Sequence, residues 1–377
     1  MDPAGTEHSE SPFLSANALI SRLFALPAFP APISGCGVCN VQNEDLIRCT
    51  TCKVMFYCCP EHQEAHWPLH KDECNQMKLH PLNTREIERS NQDFIWTFGY
   101  MLALLSVYWG RSLTWEHLER KLKFLGDIAQ INTIESVKTQ LVGIMEILCG
   151  NQAQQRDDIR DVPPALLLRL GHYRECYSFL KCYTFPVADP LYYYFDSDEE
   201  DVSRYLSKPD LFEPVDCFLY EPVELASDIP EASHTIAHLV FVAILKIRLL
   251  FELRKIDSKA VLLRRRLPQE LVDMILENVP DHPVISAEPR AMRYDSRIEL
   301  VKVLNIQTLQ IYKHVDRLNV HFWGALLNPG NHLQANPLDY MPGSVEEAQL
   351  VLARTYREFI LTPGAMDYIV STRDSQK

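Results

Sequence analysis

Cys36-Gly37-Val38-Cys39, then Cys49-Thr50-Thr51-Cys52, then Tyr57-Cys58-Cys59, and finally His62, His66-Trp67, His70-Lys71 and Cys74 crowd into one short stretch. Seven of the chain's 11 cysteines lie there. An odd number of cysteines interleaved with histidines reads as metal ligands, not disulfides. Zinc takes four N or S ligands in a tetrahedron, and a Cys-x2-Cys turn brings two thiolates to one ion. A short helix from Pro60 to about Met77 places His62, His66, His70 and Cys74 four residues apart, a row that drifts slowly around the helix. Its two ends can therefore face different ions. Ten candidate ligands compete for the eight places around two ions, leaving Cys59 and one histidine surplus. So short a segment has no room for an apolar core, so metal must hold it together.

This pattern resembles the MYND-type zinc finger: two Cys-x2-Cys knuckles, then Tyr57-Cys58, His62-Gln63, His66-Trp67, His70-Lys71 and Cys74. The family usually has cysteine at the position of His62; imidazole also binds zinc. The resemblance implies a cross-braced pair of sites. One ion falls on Cys36, Cys39, Cys58 and His62, the other on Cys49, Cys52, His70 and Cys74. His66 corresponds to a position that is not a ligand. Filled by four protein ligands, both zinc sites are structural, since a catalytic zinc keeps a position open. The family binds proteins, and several relatives take short proline-containing peptides. Gln63 and Trp67 fall at their peptide-contacting positions. Three basic residues against six acidic ones argue against DNA reading by the finger.

Outward from the finger, residues 1–35 read as a flexible Pro/Ala/Ser-rich leader with an apolar patch at Leu19–Leu26, because Pro27, Pro30 and Pro32 stop any long helix. Acidic residues stand where a secretory signal would carry Lys or Arg, so the expected location is intracellular, nucleus or cytoplasm. Residues 86–377 read as an all-α body. Helices are expected at Phe94–Tyr108, Thr114–Leu125 with Thr114 as N-cap, Ile134–Leu148, Pro163–Leu180, 234–256, 268–278, 292–323 and 344–360. The fold class is therefore mainly α, a small two-zinc finger followed by a helical array. The layout resembles fungal MYND-finger proteins with a helical C-terminal body. The scattered Cys149, Cys176, Cys182 and Cys217 read as small buried hydrophobes.

Net charge is −13, which opposes a general nucleic-acid binder. The excess is concentrated in an acidic aromatic connector at 184–233, which holds 13 Asp/Glu against Arg204 and Lys208. Residues 246–266 follow with eight Lys/Arg against Glu252 and Asp257. The economical expectation is that the two neutralise each other within the fold. Ser197, in Ser-Asp-Glu-Glu, suits acidophilic kinases. Leu239–Phe251 is apolar but broken by Lys246 and Arg248, so no membrane span is expected.

Enzyme readings find little support. His234 and His238 have metal spacing, but Thr235 stands where a zincin needs glutamate. A SET-type lysine methyltransferase would place half a catalytic domain before the finger and carry Asn-His-Ser-Cys; Asn331-His332-Leu333 is not that motif. Leu267-Pro268-Gln269-Glu270-Leu271 resembles the opening of an F-box, without its later helices. The reading is a non-enzymatic zinc-binding scaffold or adaptor that meets protein partners through short proline-containing segments, with transcriptional regulation as one setting. The methyltransferase and an F-box-like ubiquitin-ligase adaptor are the alternatives.

Overall fold

The computed structural model describes residues 19–20, 22–24, 31–43, 45–78, 80, 114–148, 157–182, 210–219, 236–264, 267–268, 271, 285, 288–335, 337 and 340–376. The expected helix at Phe94–Tyr108, most of the one at 268–278, the F-box-like opening beyond Leu271, Cys149, His234, Ser197, Arg265, Arg266 and most of the 184–233 connector lie outside them. The described chain is mainly α-helical, and its one sheet is a two-stranded pair inside the finger. It divides into two compact units, residues 1–162 with 336–340, and 163–335 with 341–377. That division falls inside the stretch read from sequence as one helical body.

In the first unit, strands β1 (Ile47–Arg48) and β2 (Phe56–Tyr57) pair antiparallel, and helix α1 (Pro60–Lys78) follows. Helices α2 (Trp115–Ala129) and α3 (Ile134–Leu148) form a hairpin. The Thr114 hydroxyl accepts from the His117 amide at 3.4 Å, the N-cap expected there. The two helices are in contact, and Leu122, Leu125 and Ile128 of α2 and Leu141, Ile144 and Met145 of α3 are all buried. Gly143 permits the close crossing: a Cβ there would sit 2.6 Å from Leu125 Cδ2. A short helix α4 (Asp157–Arg160) packs on α3.

The hairpin also holds both ends of the finger. Before it, Ile33 donates to the Asn132 carbonyl at 2.9 Å, and the Ile134 amide returns to the Ile33 carbonyl at 3.0 Å. After it, His80 Nε2 lies 2.7 Å from Asp127 Oδ2 and its ring stands edge-on to Phe124. Arg22, which with Leu23 is helical, pairs with the other oxygen of Asp127. Ile20, Leu23 and Phe24 are buried, so part of the leader is ordered packing.

The second unit is built around α7 (Ile236–Arg264). Its Ile236–Leu250 half is apolar on every side, apart from His238, Lys246 and Arg248, and a helix of that kind belongs in the middle. Helices α5 (Val162–Leu170), α6 (Tyr173–Cys182), α8 (Pro289–Met292), α9 (Tyr294–Leu318), α10 (Phe322–Leu327), α11 (Val345–Ile360) and α12 (Ala365–Asp374) complete the unit. Of these, α6, α9, α11 and α12 contact α7. The expected helix at 163–180 is two helices, because Gly171 turns left-handed (φ 75°) and the His172 amide closes back on the Leu167 carbonyl. The helix expected at 292–323 breaks at Asn319, whose side-chain Nδ2 donates to the Ser344 carbonyl and to the Glu347 carboxylate. Glu358 is fully buried between Arg169, at 2.7 Å, and Arg248, at 3.2 Å.

The acidic connector does not pair with the basic stretch as expected where it is described. Asp210 meets Arg290 at 3.2 Å and Glu213 meets Lys181 at 2.7 Å. Lys246 donates to the backbone carbonyls of Leu211 and Glu213 instead of a carboxylate. Arg248 is committed to Glu358, and Lys255 to Glu252. Of the four scattered cysteines, Cys176 is buried and Cys217 half-buried.

Candidate metal centre

Each Cys-x2-Cys knuckle turns through the same backbone device. Asn40 and Lys53, the residues directly after the second cysteines, both take left-handed conformations, with φ 54° and 64°. Their amides return to the carbonyls of Cys36 and Cys49, at 2.8 and 3.1 Å. The turn aims both thiols of a knuckle in one direction. Sequence reading missed these two residues; an asparagine after the first knuckle was the one signal, since asparagine tolerates this region.

Helix α1 supplies the other half of each cluster. The ligand atoms of Cys36, Cys39, Cys58 and His62 lie within 4.8 Å of one another, as do those of Cys49, Cys52, His70 and Cys74. The first and third ligand pairs in the chain thus meet, and so do the second and fourth. The separations suit zinc: with bonds of about 2.3 Å to sulfur, a tetrahedron has S–S edges of about 3.75 Å. Cys39 to Cys58 and Cys49 to Cys74 are each 3.7 Å. Shorter bonds to nitrogen, about 2.0–2.1 Å, shorten the S–N edge to about 3.5 Å. Cys36 Sγ lies 3.5 Å from His62 Nδ1, and Cys52 Sγ lies 3.4 Å from His70 Nε2. The two clusters suit two zinc ions, with His62 presenting Nδ1 and His70 presenting Nε2.

The electrostatics agree with a cationic centre. Burial opposes ionisation of the Cys36 thiol, but backbone N–H groups led by Cys39 outweigh it and bring it down to about 6. Contacts with Cys52 and Cys74 hold the Cys49 thiol far below its ordinary range, while contacts with Cys49 and Cys74 push Cys52 far above it. Burial disfavours charge on His70, yet the neighbouring Cys49 and Cys74 raise it to about 9. Sulfurs this close cannot all ionise on their own, and a divalent cation relieves that repulsion.

His66 is occupied elsewhere. Its Nδ1 lies 3.1 Å from the hydroxyl of the buried Tyr57, and its ring stacks on His70. Burial and the charge of His70 lower its pKa. The two clusters differ in exposure. Cys49, Cys52, His70 and Cys74 are all buried, whereas Cys39 is exposed and Cys58 and His62 are half-buried. Trp67 remains 40% exposed, its ring edge-on to His70 at 6.3 Å between centroids, and Gln63 lies one turn earlier, half-buried.

Residues 36–74 match the family model of the MYND finger. The chain carries a MYND finger. Similar proteins include N-lysine methyltransferase SMYD2 of Gallus gallus, 36% identical over 88 residues, and SMYD2-B of Xenopus laevis, 33% identical over 88 residues. Each alignment covers 20% of this chain and 20% of the relative. SMYD2 of Homo sapiens is 38% identical over 61 residues, 15% of this chain and 14% of that protein. The likeness thus spans about a fifth of these relatives at most. No solved structure matches. Among the described residues no helix is long and apolar enough to cross a membrane.

Proposed function

We propose that this protein is an interaction scaffold whose zinc-braced MYND finger captures short, extended, proline-containing peptides through Gln63 and Trp67. In this reading Cys36, Cys39, Cys58 and His62 hold one structural zinc ion, and Cys49, Cys52, His70 and Cys74 hold the other. The observation that carries the reading is the exposure of Trp67 on a helix fastened at both ends, by His62 at the first cluster and by His70 and Cys74 at the second. An aromatic side chain kept half in solvent on a rigid support is an economical platform for proline. An extended proline segment is already stiff and loses little entropy on docking.

The names of these relatives suggest a lysine methyltransferase. Their similarity lies in a fifth of the chain, and a shared module does not carry the activity of the remainder. The scaffold reading therefore stands ahead of it, as it does ahead of the F-box-like adaptor. An array of short peptides probed with the intact protein tests the proposal. Selective retention of proline-containing sequences is expected; retention indifferent to proline would overturn it.

A further inference from the structure

The two thiol clusters share a spacing and differ in access. Cys39 is exposed and Cys58 half-buried, with their sulfurs 3.7 Å apart. Cys49 and Cys74 stand at the same 3.7 Å, but they, Cys52 and His70 are each no more than 2% exposed. Within the first cluster Cys36 is also buried, at 1%. A reagent dissolved in water therefore meets Cys39 and Cys58 and is kept from the other ligand thiols.

Cysteine oxidation follows thiolate character and exposure. Every thiol that ligates zinc is deprotonated. Exposure then separates the two clusters, and only the first offers an adjacent, reachable pair. A disulfide holds its sulfurs at about 2.05 Å, so Cys39 and Cys58 must approach by roughly 1.7 Å. Their segments are already side by side. The Gly37 amide donates to the Phe56 carbonyl at 2.8 Å, which fastens the first knuckle to the strand leading into Cys58. Cys59 is half-buried and belongs to neither cluster.

We propose, on the zinc occupancy given above, that Cys39 and Cys58 are a peroxide-sensitive pair whose disulfide releases the ion of the first cluster and spares the second. The Cys39 thiolate attacks hydrogen peroxide, forming a sulfenic acid and expelling hydroxide. The Cys58 thiolate attacks that sulfur and expels a second hydroxide. Two electrons pass from the sulfurs to the peroxide, and two protons from solvent turn the hydroxides into water. Cys36 and His62 remain, too few for a site that needs four ligands. A dithiol reverses the bond by exchange.

The test treats the intact protein with hydrogen peroxide, desalts it and counts zinc by elemental analysis. Two ions per chain should fall to one, and a dithiol with added zinc should restore the second. Trypsin cuts after Arg22, Arg48, Lys53, Lys71 and Lys78, so the clusters give different cross-linked peptides. Without reduction, residues 23–48 should be joined to 54–71, and 49–53 should stay separate from 72–78. Cys59→Ser should behave like the natural chain, which assigns the bond to Cys58. Two ions before oxidant followed by the loss of both, of neither, or of one without the cross-link would overturn this proposal alone. So would a loss that the dithiol and zinc leave unrepaired, or one that Cys59→Ser prevents. Fewer than two ions before oxidant would overturn the zinc occupancy itself, and this proposal with it.

Discussion

The two histidines four residues apart in α1 have opposite expected fates. His62 presents Nδ1 to Cys36 and Cys58, while His66 is taken by the Tyr57 hydroxyl. His62→Ala should lose one zinc ion per chain and His66→Ala none, as read by elemental analysis. The unequal exposure of the clusters sets an order of release. A chelator with a colorimetric zinc readout should strip the partly exposed Cys36 cluster before the buried Cys49 cluster. Both should empty as pH falls, because protons compete for thiolate and imidazole. Lys53 holds a left-handed backbone that costs a non-glycine residue about 1 kcal/mol. Lys53→Gly should therefore leave thermal stability unchanged or slightly raised, despite lying beside a ligand. Much of the site was legible because thiol and imidazole at fixed spacings have few other uses. The left-handed residues and the Tyr57–His66 bond were not, since they follow from how the knuckles fold around α1.

At the scale of elements, periodicity located α3 at Ile134–Leu148 as expected. It ran through two breaks, at Gly171 and Asn319, where a local backbone choice overrides an unbroken apolar pattern. It also stopped at residue 360 and missed α12, which Gly364 starts afresh with φ 84°. Asp127 was invisible to sequence reading, because its partners Arg22 and His80 are distant in the chain and meet only through the fold. Asp127→Ala should cost about 1.5–3 kcal/mol in chemical denaturation, the range for hydrogen bonds to charged groups, while zinc content holds. Glu358 faces a harsher balance. Removing its carboxylate leaves the buried Arg169 without its ion pair and takes one from the half-buried Arg248, so Glu358→Ala should cost about 3–5 kcal/mol.

For the whole molecule, charge arithmetic located the acidic connector; within its described part, 210–219, Lys246 serves the backbone carbonyls of Leu211 and Glu213, while the carboxylates of Asp210 and Glu213 pair with Arg290 and Lys181. That placement makes stability depend on alkaline pH. Burial lowers Lys246 from the ordinary lysine value of 10.5 to about 8. Between these values the unfolded chain holds a proton that the folded chain has released, so stability should rise with pH across that window. Lys246→Met should flatten the rise, seen as a smaller difference between denaturation midpoints at pH 8 and pH 10. The central claim is that two zinc clusters hold α1 so that Trp67 can bind a partner. Its most direct test is calorimetric titration of a proline-containing peptide from the array into the intact protein and into Trp67→Ala, with zinc measured in both. Losing a central aromatic anchor typically costs about 2 kcal/mol, so affinity should fall roughly thirtyfold with two zinc ions retained. Unchanged affinity, or a variant that sheds its zinc, would contradict the claim.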